Sequence, residues 1–120
     1  MPELFKYKYD DLFNPTLSAL QKLGGSGSIE EIEEQVAKLL NLTDDQVNET
    51  HRGNMSKLSY RLAWARNYLK RYGLLENSSR GVWALTENGL KTSKVDQEIV
   101  KRAVVAEDRQ QRLKGKTKSI

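Results

Sequence analysis

Apolar residues recur at helical spacing in two segments of the first forty residues. The first segment begins at Asn14-Pro15, where an asparagine can cap a helix and a proline fits its first turn. It ends at the glycine-rich stretch 24–27, so we predict a helix over Pro15–Leu23 followed by a turn. Ser28, with a glutamate three residues later, matches a capping box. The stripe that follows predicts a second helix from Ser28 to about Asn41; its members are Ile29, Ile32, Val36, Leu39 and Leu40.

A third helix is predicted from Ser56 to Tyr72, and its faces differ. The core face consists of Leu58, Leu62, Ala65, Leu69 and Tyr72. We assign Trp64 to the core as well, because large aromatic side chains usually pack inside. The opposite arc comprises Ser59, Ala63, Arg66, Asn67 and Lys70, with Tyr60 and Arg71 towards its edge. Before this helix, a capping box at Thr43 predicts a single turn, and residues 47–53 are predicted as loop.

After Gly73 the spacing becomes strand-like. Residues 74–77 and 81–85 are two short runs separated by Ser78, Ser79 and Arg80, which predicts a β-hairpin with a basic tip. We assign Trp83, on the second run, to the core. A final helix is predicted from Asp96 to Leu113, with a weak apolar face; that face is Ile99, Val100, Ala103, Val104 and Ala106.

This order of elements predicts a mainly α fold with a small β-hairpin, the winged helix-turn-helix arrangement. A chain of 120 residues has room for one core. We expect a winged-helix domain over residues 1–93 and a C-terminal helix over residues 94–113, acting as a linker or a dimerisation element. Residues 114–120 form a basic tail that is predicted to be disordered.

Composition narrows the functional classes. Cysteine is absent, which excludes disulfide scaffolds and thiolate metal sites and fits a cytoplasmic protein. Neither a signal-peptide layout nor an apolar run of membrane-spanning length occurs, so no membrane partner is expected. Residues 1–50 carry 4 basic and 10 acidic side chains, whereas residues 51–120 carry 16 basic and 6 acidic ones. A basic half of this kind favours a polyanionic partner for one face.

The sequence offers no catalytic or metal site. The glutamates of the second helix lie in its first turns, where carboxylates stabilise the helix dipole, without a histidine or aspartate at ligand spacing. The single histidine, His51, lies in a predicted loop with no partner in sequence. Phosphate-binding glycine loops and cysteine nucleophiles are also absent. We therefore expect no enzymatic activity, no cofactor and no metal.

Double-stranded DNA is the partner that this arrangement favours, with the third helix in the major groove and the hairpin on the backbone or minor groove. The candidate DNA-binding residues are Lys57, Ser59, Ala63, Arg66, Asn67, Lys70, Arg71, Ser79 and Arg80. Arg66 and Asn67 are the expected base readers, since arginine pairs bidentately with guanine and asparagine with adenine. Basic side chains such as Lys70 and Arg80 are expected to contact phosphates.

Two stretches resemble a known family. The helix segment from Tyr60 to Leu75 contains Trp-Ala-Arg and leads to Gly-Leu, and the hairpin from Ser79 to Gly89 follows the pattern Ser-Arg-Gly-x-Trp-x-Leu-Thr-x-x-Gly. Together they resemble the N-terminal domain of Mrr-type restriction proteins over about residues 5–93. The resemblance implies a winged helix that docks a modification-dependent restriction enzyme on DNA, with methylated sites as candidate targets. It also implies a separate nuclease domain, in the same or another chain, that is absent here.

A second hypothesis remains open. Winged helices also mediate protein contacts, and the helix Asp96 to Leu113 could pair with its copy in a homodimer. This hypothesis is motivated by the apolar face of that helix, because a single small domain can leave part of such a face uncovered. DNA binding by a dimer is compatible with both hypotheses.

Overall fold

The structure is a computed structural model that describes the backbone of residues 4–118 and the side chains of residues 4–113. A 3-10 turn at Asp10–Leu12 leads into α1, and the remaining elements follow in a mainly helical order. They are α1 (Phe13–Lys22), β1 (Ser26–Ser28), α2 (Ile29–Leu39), α3 (Asp44–Asn48), β2 (Thr50–Arg52), β3 (Met55–Ser56), α4 (Lys57–Tyr72), β4 (Leu75–Ser79), β5 (Val82–Leu85), α5 (Glu87–Lys91) and α6 (Gln97–Lys118).

Local capping signals determine where several helices begin and end. The Ser28 hydroxyl accepts from the Glu31 N–H at 3.1 Å, and the Glu31 carboxylate accepts from the Ser28 N–H at 2.9 Å. Thr43 caps α3 in the same reciprocal way. Ser56 caps α4, and Gly73 ends it with a left-handed φ of 98°. These four predicted boundaries are confirmed.

Asn14 does not cap a helix, contrary to the prediction. It lies inside α1, which begins one residue earlier, after the 3-10 turn. Its side-chain oxygen accepts from the Val95 N–H at 2.8 Å, and its amide nitrogen donates to the Val95 carbonyl at 3.1 Å. Asn14 therefore tethers the segment that precedes α6 to α1.

Two antiparallel sheets accompany the helices within residues 4–118. The predicted hairpin is β4–β5, and β1 joins it at the other edge of β5 to give the order β1-β5-β4, with Ser26 opposite Ala84 and Leu75 opposite Leu85. The residues of β1 were predicted as part of a turn, because Ser-Gly-Ser shows no alternation of apolar and polar residues. They form a strand only because they pair with β5. The predicted loop 47–53 likewise contains β2, which pairs with β3 in a second small hairpin.

The hydrophobic core lies between α1, α2, α4 and the sheet. Its fully buried side chains include Phe13, Leu17, Leu20, Ile32, Val36, Leu58, Leu62, Ala65 and Leu69. The core face predicted for α4 is confirmed, with Tyr72 half-buried at its end. Burial of these apolar side chains is the main favourable contribution to folding.

Helix α6 packs on the core through one narrow stripe. Val100 and Val104 are buried as predicted, whereas Ile99 is 52% exposed and points away from the core. Asp96 caps the helix by accepting from the Glu98 N–H at 2.9 Å. The helix extends to Lys118, so residues 114–118 of the predicted disordered tail are helical, and residues 119–120 lie outside the described residues.

Candidate nucleic-acid interface

Helix α4 presents an arc of side chains to solvent on the side away from the core. Ala63, Asn67 and Lys70 are exposed there at helical spacing, and we call these three residues the exposed arc. The β4–β5 hairpin ends in Ser79 and Arg80, which are also exposed. Within the described residues no acidic side chain pairs with Arg80. Five of the nine predicted DNA-binding residues are therefore accessible.

Three more of the nine predicted residues form hydrogen bonds or ion pairs with acidic side chains on other elements. The Lys57 ammonium lies 3.5 Å from the Glu49 carboxylate, and the Ser59 hydroxyl donates to Glu33 at 2.8 Å. Arg71 forms ion pairs with two acidic side chains of α6, and the hydrogen bond to Asp108 raises the pKa of Arg71. The sequence pattern of one helix could not show these partners, because all of them lie on other segments.

Arg66, the predicted guanine reader, is buried. Its exposed fraction is 5%, and its guanidinium carbon lies 5.5 Å from the ring centroid of Trp83 on β5. Its Nε and Nη1 atoms have no hydrogen-bond partner within the described part of the chain. The pKa of Arg66 is lowered, because the effect of burial is larger than the opposing effect of the negative charge of Glu33. Trp83 packs half-buried against the core, as predicted, and covers this arginine.

Trp64 does not belong to the core, so its assignment from the sequence was wrong. It is 46% exposed and lies between Tyr60 and Tyr68, with ring centroids 6.5 and 6.4 Å away in edge-to-face geometry. The spacing of four residues places these three side chains in one row, which we call the aromatic ridge and which runs beside the core stripe rather than within it. His51 stacks on Tyr60 at 3.8 Å and continues the row onto β2.

A segment before α1, residues 4–9, lies along α4 with contacts from Arg61 to Tyr68, and we call it the N-terminal strap. Glu49 accepts from the N–H groups of Leu4 and Phe5 at 3.1 and 2.7 Å, and Arg61 donates to the Tyr7 carbonyl at 2.8 Å. The backbone hydrogen bond from Phe5 is the main reason that the pKa of Glu49 is lowered. Phe5 is buried, so the alternating strap directs Lys6 and Lys8 outwards.

An open pocket of about 680 Å³ lies between the strap, α4 and α6, and we call it the strap pocket. Its aromatic lining is Tyr9 together with the aromatic ridge Tyr60, Trp64 and Tyr68, and its charged lining is Lys6, Lys8, Arg61, Lys101 and Asp10. Burial and a hydrogen bond to Tyr68 raise the pKa of Tyr9 to about 12. The pocket was not predicted from the sequence, although the alternation of aromatic and lysine residues in the strap was a signal for it.

The described residues contain no cluster of histidine, cysteine or carboxylate side chains that could hold a metal ion. In the same part of the chain, none of the helices combines the length and the apolar character of a membrane span.

The comparisons with known proteins confirm the resemblance found in the sequence. The profile of the Mrr N-terminal domain family matches residues 9–94. The type IV methyl-directed restriction enzyme EcoKMrr of Escherichia coli strain K12 is 32% identical over 81 residues, which cover 68% of this chain and 27% of that enzyme. The chain thus spans about a quarter of the length of this curated relative. No solved structure matches the chain.

Proposed function

Because this chain belongs to the family of Mrr N-terminal domains, we propose that it is a winged-helix module that binds duplex DNA and positions a nuclease domain on it. The single observation that carries the proposal is the exposed arc of α4 together with an accessible, basic tip on the hairpin whose first strand packs against α4. The related restriction enzyme is described as methyl-directed. Methylated duplexes are therefore the first targets to test.

The dimensions of α4 suit the major groove. Its 16 residues rise about 24 Å, and the groove is about 12 Å wide. Within the exposed arc, Ala63 allows close approach to base edges and Asn67 can pair bidentately with adenine. Lys70 on α4 and Ser79 with Arg80 on the hairpin are exposed polar side chains of the kind that contact phosphates.

The four remaining candidates need a rearrangement before they can contact DNA. Lys57, Ser59 and Arg71 would exchange their present carboxylate partners for phosphates, and Arg66 would have to leave its place beneath Trp83. We therefore propose that the exposed residues form the first contacts. Lys57, Ser59, Arg66 and Arg71 contribute to binding only where a contact with the duplex replaces the contact that each side chain has in the free protein.

Binding to a labelled duplex, measured by fluorescence polarisation at several salt concentrations, tests the proposal. We expect Lys70→Ala and Arg80→Ala each to weaken binding and to reduce the salt slope by about 1, since each removes about one phosphate contact. Lys22→Ala is the matched control, because this exposed lysine lies on α1, which packs against the buried side of α4. Absence of binding to any duplex at about 50 mM salt refutes the proposal.

A second candidate function, dimerisation through α6, has one specific observation in its favour. Ile99 and Val105 are each 52% exposed, and Leu113 is 58% exposed, all on the sides of α6 that do not pack on the core. Light scattering over a wide concentration range tests it. A monomer at every concentration excludes this function and leaves DNA binding unaffected.

A further inference from the structure

The strap pocket combines an accessible aromatic surface with positive charge at its rim. From this combination we infer that it binds one nucleotide, with the base against Trp64 and the phosphate at Lys6 and Lys8. The inference deepens the proposed function, on which it rests, because a nucleotide of DNA bound along α4 is one source of such a ligand. A free nucleotide is the other source, and the experiment below separates the two.

The aromatic side of the pocket is suited to a planar ring. Trp64 is 46% exposed, and both tyrosines of the aromatic ridge meet it edge-to-face rather than by parallel stacking. One side of the row is extended by His51, which stacks on Tyr60 outside the pocket lining. Stacking on aromatic side chains is the common way in which proteins hold an unpaired base, because every base has a π face.

The charges favour an anion over a cation. Aromatic pockets alone also bind organic cations, but the lining here contains four basic side chains and one carboxylate. That carboxylate, Asp10, already accepts from the Lys101 ammonium at 2.9 Å, and Lys101 also pairs with Glu98 at 3.0 Å. Neither Lys6 nor Lys8 forms an ion pair with any acidic side chain among residues 4–113. They are therefore the cations available to a phosphate.

The size and the position of the pocket agree with a single nucleotide. A volume of about 680 Å³ lies within the range of about 300–1,000 Å³ that holds small ligands. Trp64 is adjacent in sequence to Ala63 of the exposed arc, so the pocket borders the surface proposed for the duplex. A base rotated out of the stack would enter from that side, at a cost that is smallest where the base is mispaired.

The fixed strap makes the pocket a preformed site. Arg61 donates a hydrogen bond to the Tyr7 carbonyl of the strap. Glu49 accepts hydrogen bonds from two backbone N–H groups at the start of the strap. Lys6 and Lys8 are therefore presented on an anchored segment rather than on a free terminus. Preorganisation of this kind lowers the entropic cost of binding.

The test has two arms. In the first, polarisation compares a fully paired duplex with the same duplex carrying one thymine–thymine mismatch. We expect wild type to bind the mismatched duplex about tenfold more tightly, because less pairing energy is lost on extrusion. Trp64→Ala and the double variant Lys6→Ala/Lys8→Ala should lose this preference. Leu90→Ala, which removes another exposed apolar side chain on α5, and Lys22→Ala are the matched controls and should retain it.

In the second arm, deoxycytidine monophosphate is titrated into the protein while tryptophan emission is recorded. Saturable quenching that Trp64→Ala abolishes supports the pocket with a free nucleotide as the source, and a mismatch preference supports it with DNA as the source. Duplex binding with neither signal overturns the inference and leaves the proposed function in place. Quenching without any duplex binding supports the pocket and overturns the proposed function. Circular dichroism of each variant establishes that it folds.

Discussion

Replacement of Arg66 by methionine tests whether the buried guanidinium stabilises the protein or is retained at a cost. The substitution keeps a long, unbranched side chain beneath Trp83 but removes the charge and the two donors, Nε and Nη1, that have no partner in the described residues. Glu33, the carboxylate that attracts Arg66, keeps its hydrogen bond from Ser59 and is partly accessible to solvent. It is therefore not left as an unpaired buried charge.

The balance of free energies favours methionine. Each buried donor without a partner costs about 1–3 kcal/mol. Against this, the contact with the Trp83 ring contributes about 0.5–2 kcal/mol, and the attraction to a half-exposed carboxylate contributes about 0–1 kcal/mol. Methionine regains part of the loss through its sulfur–aromatic contact, about 0.3–1.5 kcal/mol. With two such donors, the midpoints of these ranges favour methionine, and we expect Arg66→Met to raise the free energy of unfolding by about 3 kcal/mol.

Urea and thermal unfolding of wild type, Arg66→Met and Arg66→Ala measure this difference. The alanine variant is the control, because it removes the packing of the stem as well as the charge and should be less stable than the methionine variant. An Arg66→Met protein that is no more stable than wild type refutes the reasoning, since the guanidinium would then not be retained at a cost. If Arg66 reaches DNA after rearrangement, the same variant should bind the duplex more weakly although it is more stable.

Three further predictions concern the fold around the site. Asn14→Ala should cost about 1–3 kcal/mol, because it removes both partners of the Val95 backbone, and hydrogen exchange should accelerate at the start of α6. Gly89→Ala should cost more than about 4 kcal/mol in urea unfolding, since its Cβ would lie 2.1 Å from the Leu74 carbonyl oxygen. Glu49 has a lowered pKa, so its contribution is present above the ordinary glutamate value and lost as pH falls through the folded value. Glu49→Gln should therefore destabilise the protein at neutral pH, with a difference that shrinks below about pH 4.

The features of the fold that could be predicted from the sequence are those that depend on residues close together along the chain. The caps at Ser28, Thr43 and Ser56 and the terminus at Gly73 are local signals, and the structure contains all four. The register of β1 with β5 could not be predicted in this way, because a polar strand of three residues becomes a strand only when its partner is nearby.

Prediction of the candidate site was limited by the same physics. The helical pattern placed Arg66 on the polar arc of α4, whereas the structure buries it beneath Trp83 of the hairpin, a contact that the spacing within one helix cannot show. Similarly, Arg71 meets Asp108 only because α6 packs beside α4. Trp64 was misassigned because hydrophobicity alone predicts burial, whereas its angle on the helix places it at the edge of the core stripe.

Two departures from ordinary packing on α4 support the role proposed for this helix, independently of any resemblance. The Arg66 guanidinium is buried although two of its nitrogen atoms have no hydrogen-bond partner in the described residues. Trp64 exposes a large indole ring to solvent. Both arrangements cost stability, and such conflicts between local chemistry and fold are typical of functional sites. The two residues lie on either side of Ala63 and Asn67, so the stability is lost along the edges of the accessible surface. A helix selected only for packing would have the tryptophan inside and the arginine outside.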